Sequence, residues 1–224
     1  MFCLFVLLTQ AEASFEQVVS VTWQRAPMRE VLMQFAKANR VGLFIDRRID
    51  PAILINFKAE KKTVKTVFQD FANSAGFYCH FFGSVVYIGN GDMREILPRV
   101  IAEHRKFFEQ VNTAKNKNSA NARVKLRKMA TVKLPMLSEP RKILNNLAQQ
   151  NQFTWQNLEK LQHDVWDENS TLPSMQLGDF LILMLIGFDL DYVCELPEKD
   201  SSGKMILRII DVRNFENQTD KSIK

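Results

Sequence analysis

Polar and apolar residues alternate from Val18 to Gln24, and the period then changes: Met28, Val31, Leu32, Phe35 and Ala36 recur at spacings of three and four. The first pattern predicts a strand and the second an amphipathic helix, with Pro27 in a first-turn position where its missing N–H costs no hydrogen bond. Val41 to Ile45 predicts a second strand, Asp50-Pro51 breaks the chain, and Ile53 to Phe57 alternates as a third. Thr63 is placed to N-cap a second helix with Val64, Val67, Phe68 and Phe71 as its buried stripe, and Gly76 ends it. Phe77 to Phe81 and Val85 to Ile88 close the unit as a hairpin turning through Phe82-Gly83-Ser84.

The second half repeats that order. Thr131 to Leu134 reads as a strand, Ser138-Glu139-Pro140 starts a helix with Ile143, Leu144, Leu147 and Ala148 on its apolar face, and Phe153-Thr154-Trp155 corresponds to Val41 to Ile45. After a polar stretch, Ser174 to Ile186 is expected as the second helix, with Gly187 in the place of Gly76. Tyr192 to Leu196 and Met205 to Ile210 are expected to pair across Pro197 to Lys204. The chain thus reads as α+β: two small β-α-β-β-α-β-β modules with mixed sheets, residues 17–90 and 130–213, joined by a helix and a basic linker over 93–129 and followed by a flexible tail, 214–224. In the joining segment, Met93 to Val111 has helical periodicity (Ile96, Val100, Phe107, Val111), with Pro98 expected in the first turn. Asn112 to Lys128 carries Lys115, Lys117, Arg123, Lys125, Arg127 and Lys128 among Asn, Ser and Ala, and reads as solvated linker. Leu177 to Leu190 is apolar nearly all round. It falls short of the ~20 residues a membrane span needs, so it is expected as a core helix beneath a sheet and the helix from Met93.

Residues 1–13 set an apolar run, Phe2 to Leu8, before Ala11-Glu12-Ala13, a small-x-small cleavage pattern. They read as a signal peptide truncated at its start, because no Lys or Arg precedes the apolar core, and imply export to the periplasm or an equivalent space. The formal charge of +5 is concentrated in the linker without interleaved aromatics, which argues against nucleic acid as a partner. Once Cys3 leaves with the signal, Cys79 and Cys194 remain, each inside an apolar strand-like run; buried free thiols and a single bridge are both open.

The run Val21-Thr22-Trp23-Gln24-Arg25-Ala26-Pro27-Met28-Arg29-Glu30-Val31-Leu32 resembles the opening of the secretin and TonB short N-terminal domain. The resemblance continues through the strand Val41 to Ile45, the turn Asp46 to Pro51, the strand Ile53 to Phe57, Thr63-Val64 at a helix start and Val86-Tyr87-Ile88 at the end of a hairpin. It covers residues 17–90, and residues 130–212 share its element order. It implies a periplasmic docking module, one that precedes an outer-membrane barrel in secretins and TonB-dependent receptors and contacts inner-membrane partners. No barrel sequence, TonB box or secretin pore domain follows the modules here, so docking, rather than transport or secretion, is what carries over. The family has no catalytic residues to transfer.

No residue pattern points to catalysis, a cofactor or a metal. His80, His104 and His163 are the histidines, and no two stand at metal-ligand spacing. His80 follows Cys79 in a strand, which sends the two side chains to opposite faces. Asp46, Asp50, Arg47 and Arg48 could form a polar patch but read as turn residues, and Gly89-Asn90-Gly91-Asp92 reads as a linker turn lacking the Lys of a phosphate loop. The expected function is therefore protein-protein contact in the cell envelope, by addition of a partner strand to a sheet edge, by a chain that is not an integral membrane protein. An envelope glycan or peptidoglycan binder is the alternative, requiring Trp23, Trp155 or Trp166 to line a groove. An enzyme using the acidic stretch Asp164 to Glu168, beside His163, is a third reading.

Overall fold

The computed structural model describes residues 15–113, 117–135, 137–165, 170–195 and 205–212. The signal peptide expected at 1–13, the hairpin loop from Pro197 to Lys204 and the tail from residue 214 lie outside the described residues.

The first half forms β1 (Val18–Pro27), α1 (Met28–Ala38), β2 (Gly42–Ile45), β3 (Leu54–Thr63), α2 (Val64–Ser74), β4 (Tyr78–Phe82) and β5 (Val85–Gly89). β1 and β3 make an antiparallel ribbon; β2 runs parallel to β5, which pairs antiparallel with β4. The ribbon bulges twice, and the backbone is left-handed at Arg25 (φ 46°) and Lys61 (φ 50°). Their N–H groups donate to Asn56 Oδ1 (2.9 Å) and Ser20 Oγ (3.0 Å), so the bulges leave neither donor unmade. The helix stripes are buried as the periodicity requires: Met28, Leu32, Phe35 and Ala36 on α1, and Val64, Val67, Phe68 and Phe71 on α2. Thr63 Oγ1 accepts the Thr66 N–H at 3.2 Å, and Gly76, just past the end of α2, supplies a φ of 74°. Gly83, at φ 57°, opens the two-residue turn between β4 and β5.

The joining segment contains α3 (Met93–Thr113) and α4 (Lys117–Arg127). The turn before α3 takes its first donors, Met93 N–H to Asn90 O and Arg94 N–H to Gly91 O, both 3.0 Å. Those bonds fix the helix start at Met93, so Pro98 lies in the second turn and not the first, and the helix runs on despite the missing donor. α3 turns Met93, Leu97, Val100 and His104 inward. The expectation of a solvated linker from Asn112 to Lys128 is corrected: α4 is helical and buries Ala122 and Leu126, one turn apart.

The second half forms β6 (Met129–Leu134), α5 (Pro140–Asn151), β7 (Phe153–Gln156), β8 (Ser170–Gln176), α6 (Leu177–Ile186), β9 (Leu190–Glu195) and β10 (Met205–Asp211). β6 pairs antiparallel with β8, β7 parallel with β10 and β10 antiparallel with β9, which reproduces every pairing of the first half. Two expectations change. Ser174 to Gln176 belong to a strand, β8, and the helix starts at Leu177, because Leu172 and Met175 are drawn into the core from the ribbon. Gly187 keeps a right-handed φ of −66°, and the left-handed turn residue is Asp189 (φ 57°).

The sheet β2-β5-β4 is covered on both faces. Val86 and Ile88 pack with α1 and α2, while Phe82, Val85 and Tyr87 join the core of the second half. That second core is built around α6, all of whose residues except Asp179 are buried. Gly178 lets the backbone of α4 approach: a Cβ there would lie 3.3 Å from the Leu126 carbonyl oxygen and 3.0 Å from Tyr192 Oη. β8 lies over β2 so closely that a Cβ on Gly42 would sit 2.5 Å from Pro173 Cδ. No described helix is long and apolar enough to cross a membrane.

Candidate functional site

Where β2 ends against the second half, the chain gathers four ionisable side chains. Asp46 is fully buried, its N–H donating to Ile88 O at 2.8 Å. Its carboxylate accepts from Arg48 Nε (2.9 Å) and Nη2 (2.7 Å) and from the Tyr87 hydroxyl (2.6 Å). Arg48 Nη1 reaches across to Asp189 Oδ1 at 2.6 Å, joining the turn after α6 to the turn after β2. Burial opposes the charge on Asp46, but the hydrogen bonds from Arg48 and Tyr87 outweigh it and hold the carboxyl below its usual pKa. The bond to Asp46 pushes Arg48 upward, and burial together with the Asp46 charge pushes Tyr87 upward. Tyr87 is therefore a fixed donor and the Asp46–Arg48 pair a fixed ion pair. The expected turn chemistry is present beside this: Asp50 Oδ1 accepts the Ala52 N–H at 2.8 Å.

Next to the ion pair lies a cleft of about 460 Å³ between β2 and α6. Leu43, Ile45, Leu183 and Met184 give it buried apolar walls, and Arg29, Arg47 and Asp164 are its ionisable lining residues. Arg47 lies over the Phe188 ring (4.5 Å to the centroid) and its Nε donates to Asp164 Oδ2 at 2.8 Å. Gly187 lies beside the Arg47 side chain, at ordinary packing distance.

A third polar cluster ties α3 to β9. His104 Nε2 lies 2.9 and 3.0 Å from the two oxygens of the fully buried Asp191, and its ring packs on Tyr192 at 4.4 Å. Nearby Asp179 has its pKa raised by burial. Neither this pair nor the cleft was signalled in the sequence, because the partners are far apart along the chain: 87 residues for His104 and Asp191, 117 for Arg47 and Asp164.

The remaining candidates are dispersed. Cys79 and Cys194 are free thiols on β4 and β9, each pushed up to about 12 by burial, and so unreactive as nucleophiles. Cys79 packs into the first core while His80 stacks between Tyr78 and Phe82 on the other face, as strand alternation requires. His163 is exposed; Asp164 faces the cleft, and Asp167 and Glu168 lie outside the described residues. Trp23 packs against Phe35, Phe57 and Phe71; Trp155 packs on Phe153 and donates its Nε1–H to Leu144 O at 2.9 Å. Trp166 lies outside the described residues. Among the described residues no three His, Cys, Asp or Glu side chains gather as a metal site.

The sheet edges differ between the two halves. β9 is buried from Leu190 to Cys194, whereas β4, its counterpart, is half-exposed from Tyr78 to Phe81. In a two-residue hairpin the residues flanking the turn exchange both hydrogen bonds, here Phe82 with Val85, and alternate pairs follow. The N–H and C=O of Cys79 and Phe81 consequently point away from β5. Comparison of the chain with protein-family models, with curated proteins and with solved structures gives no match.

Proposed function

We propose that this chain is an exported, non-enzymatic docking protein of the cell envelope, acting in the periplasm or an equivalent space, and that a partner strand adds to the outer edge of β4. The observation that carries this is the asymmetry of the two edges: β9 is closed, and β4 offers the outward backbone groups of Cys79 and Phe81. An edge with unpaired donors and acceptors is a template for strand addition, and backbone bonding suits a surface without catalytic groups. The resemblance of residues 17–90 to a periplasmic docking domain supports the same reading.

The test is capture of partners from an envelope extract by the purified protein and by Cys79→Pro. Proline fits an extended edge strand and removes one outward donor that the fold does not use. A reproducible set of partners held by the wild type and lost from a Cys79→Pro protein with an unchanged circular dichroism spectrum is the expected result. No reproducible capture, or equal capture by both proteins, overturns the proposal.

A further inference from the structure

We infer that the strand added to β4 is β4 of a second copy of this chain, paired antiparallel across a two-fold axis at His80, so that Cys79 of each copy meets Phe81 of the other. This rests on the reading of β4 as a docking edge and names its occupant. Three observations favour a second copy. The outward N–H and C=O groups are those of Cys79 and Phe81, and among the described residues nothing bonds them. Turned about an axis at the residue between them, this pair is self-complementary: each donor meets an acceptor, and every bond is made twice. Sliding the register by two sets one of the pair against Phe77, whose N–H already goes to Ala72 O at 2.8 Å, or against Gly83 in the turn at φ 57°. The facing side chains also match. Tyr78 stands opposite Phe82 of the other copy, on the face where Tyr78, His80 and Phe82 pack in a row, and aromatic cross-strand pairs stabilise a sheet. Finally, β4 lacks the devices that keep an edge single. Tyr78-Cys79-His80-Phe81-Phe82 contains no Lys, Arg, Asp, Glu or Pro, and its register with β5 has no bulge. Burial lowers the pKa of His80, which favours an uncharged ring on the axis. β9, the matching edge of the second half, carries Asp191 and Glu195.

The pairing is tested on the full chain by sedimentation equilibrium and by cysteine cross-linking. The wild type is expected to rise from the mass of one chain to that of two across about 1 μM to 1 mM, the range of a small interface. Cys79→Pro, folded by circular dichroism, is expected to weaken the association about tenfold or more, because each lost donor counts twice across the axis. His80→Cys sets two thiols directly opposite, at a Cα separation of about 4.5 Å, and mild oxidation is expected to link them into a disulfide dimer. Native Cys79 stands about 9 Å from its copy in this register, and Tyr78→Cys about 14 Å from its own, both beyond disulfide reach. The wild type and Tyr78→Cys are therefore expected to stay unlinked. A wild type at one-chain mass throughout, an association unchanged in Cys79→Pro, or Tyr78→Cys linking as fast as His80→Cys overturns the inference. Should one variant not fold, the other and the wild-type sedimentation decide. A one-chain wild type that still captures envelope partners through β4 overturns self-pairing and leaves strand docking standing. A chain that pairs with itself and captures nothing from an envelope extract overturns only the reading of an envelope partner.

Discussion

Replacing Leu126 by alanine tests whether the basic segment after α3 is part of the folded core. Leu126 is 1% exposed and sits one helical turn from Ala122, at 2%, with its backbone against Gly178 of α6. A Leu→Ala change at a site closed on all sides costs about 2–5 kcal/mol, because the apolar transfer energy is lost and a cavity remains. Taking about 3 kcal/mol, and about 2–4 °C per kcal/mol for a chain of this size, the expected fall in Tm is about 6–12 °C. Val124 on the same helix is 64% exposed and serves as the control. Val124→Ala removes no core contact and improves helix propensity slightly, so its effect should stay within about 0.5 kcal/mol. Thermal unfolding followed by circular dichroism, with urea unfolding to confirm an unchanged m-value, measures both variants. Equal melting of the two proteins within about 1 °C would refute the argument and return residues 117–127 to the status of solvated linker.

Two further outcomes follow from one buried and one half-buried group. Tyr87→Phe removes the hydroxyl on Asp46 without opening a cavity, and should cost about 1.5–3 kcal/mol at neutral pH, as expected of a hydrogen bond to a charged acceptor. Because the folded pKa of Asp46 is depressed, its contribution is complete above the unfolded value near 3.8 and is lost as pH falls through the folded one. The penalty measured by urea unfolding should therefore shrink below pH ~4, and a penalty independent of pH would contradict the assignment of Tyr87 as donor to a carboxylate. Asp179 has the opposite sign. Burial raises its folded pKa, so its charge lessens stability as pH rises through the window above 3.8. Asp179→Asn is expected to raise Tm at pH 7 and to lose that advantage at pH 3, and a lower Tm at pH 7 would refute it.

The first half was legible because its helices are amphipathic and its strands alternate: Leu32, Phe35, Val67 and Phe71 are where the 3.6-residue period puts them. β8 was not, because its core residues, Leu172 and Met175, stand three apart around Pro173, a spacing that matches neither strand alternation nor a helix of useful length. α4 was hidden for a related reason: among its described side chains Ala122 and Leu126 carry the buried face amid lysines, arginines and asparagines, so composition outweighed a two-residue stripe. The hairpin of the second module was legible because β9 and β10 each carry an apolar signal, whereas β6 finds its partner in β8, the strand the sequence hid. The long-range ionic features were illegible in principle. Asp46 and Asp50 look alike as turn carboxylates, and what separates them is Tyr87, 41 residues further on. The Arg48–Asp189 bridge spans 141 residues, and no local pattern announces such a pair.

The shared sheet has a consequence for how this molecule comes apart. Phe82, Val85 and Tyr87 belong to strands of the first module, yet their burial is supplied by the second. A pair of modules packed in this way cannot melt one at a time without wetting those side chains, so the two halves should unfold as one cooperative block, in a single calorimetric transition. The repeated arrangement makes the halves mutually dependent: each is the other's missing layer, and neither is free to drift on that face without its neighbour.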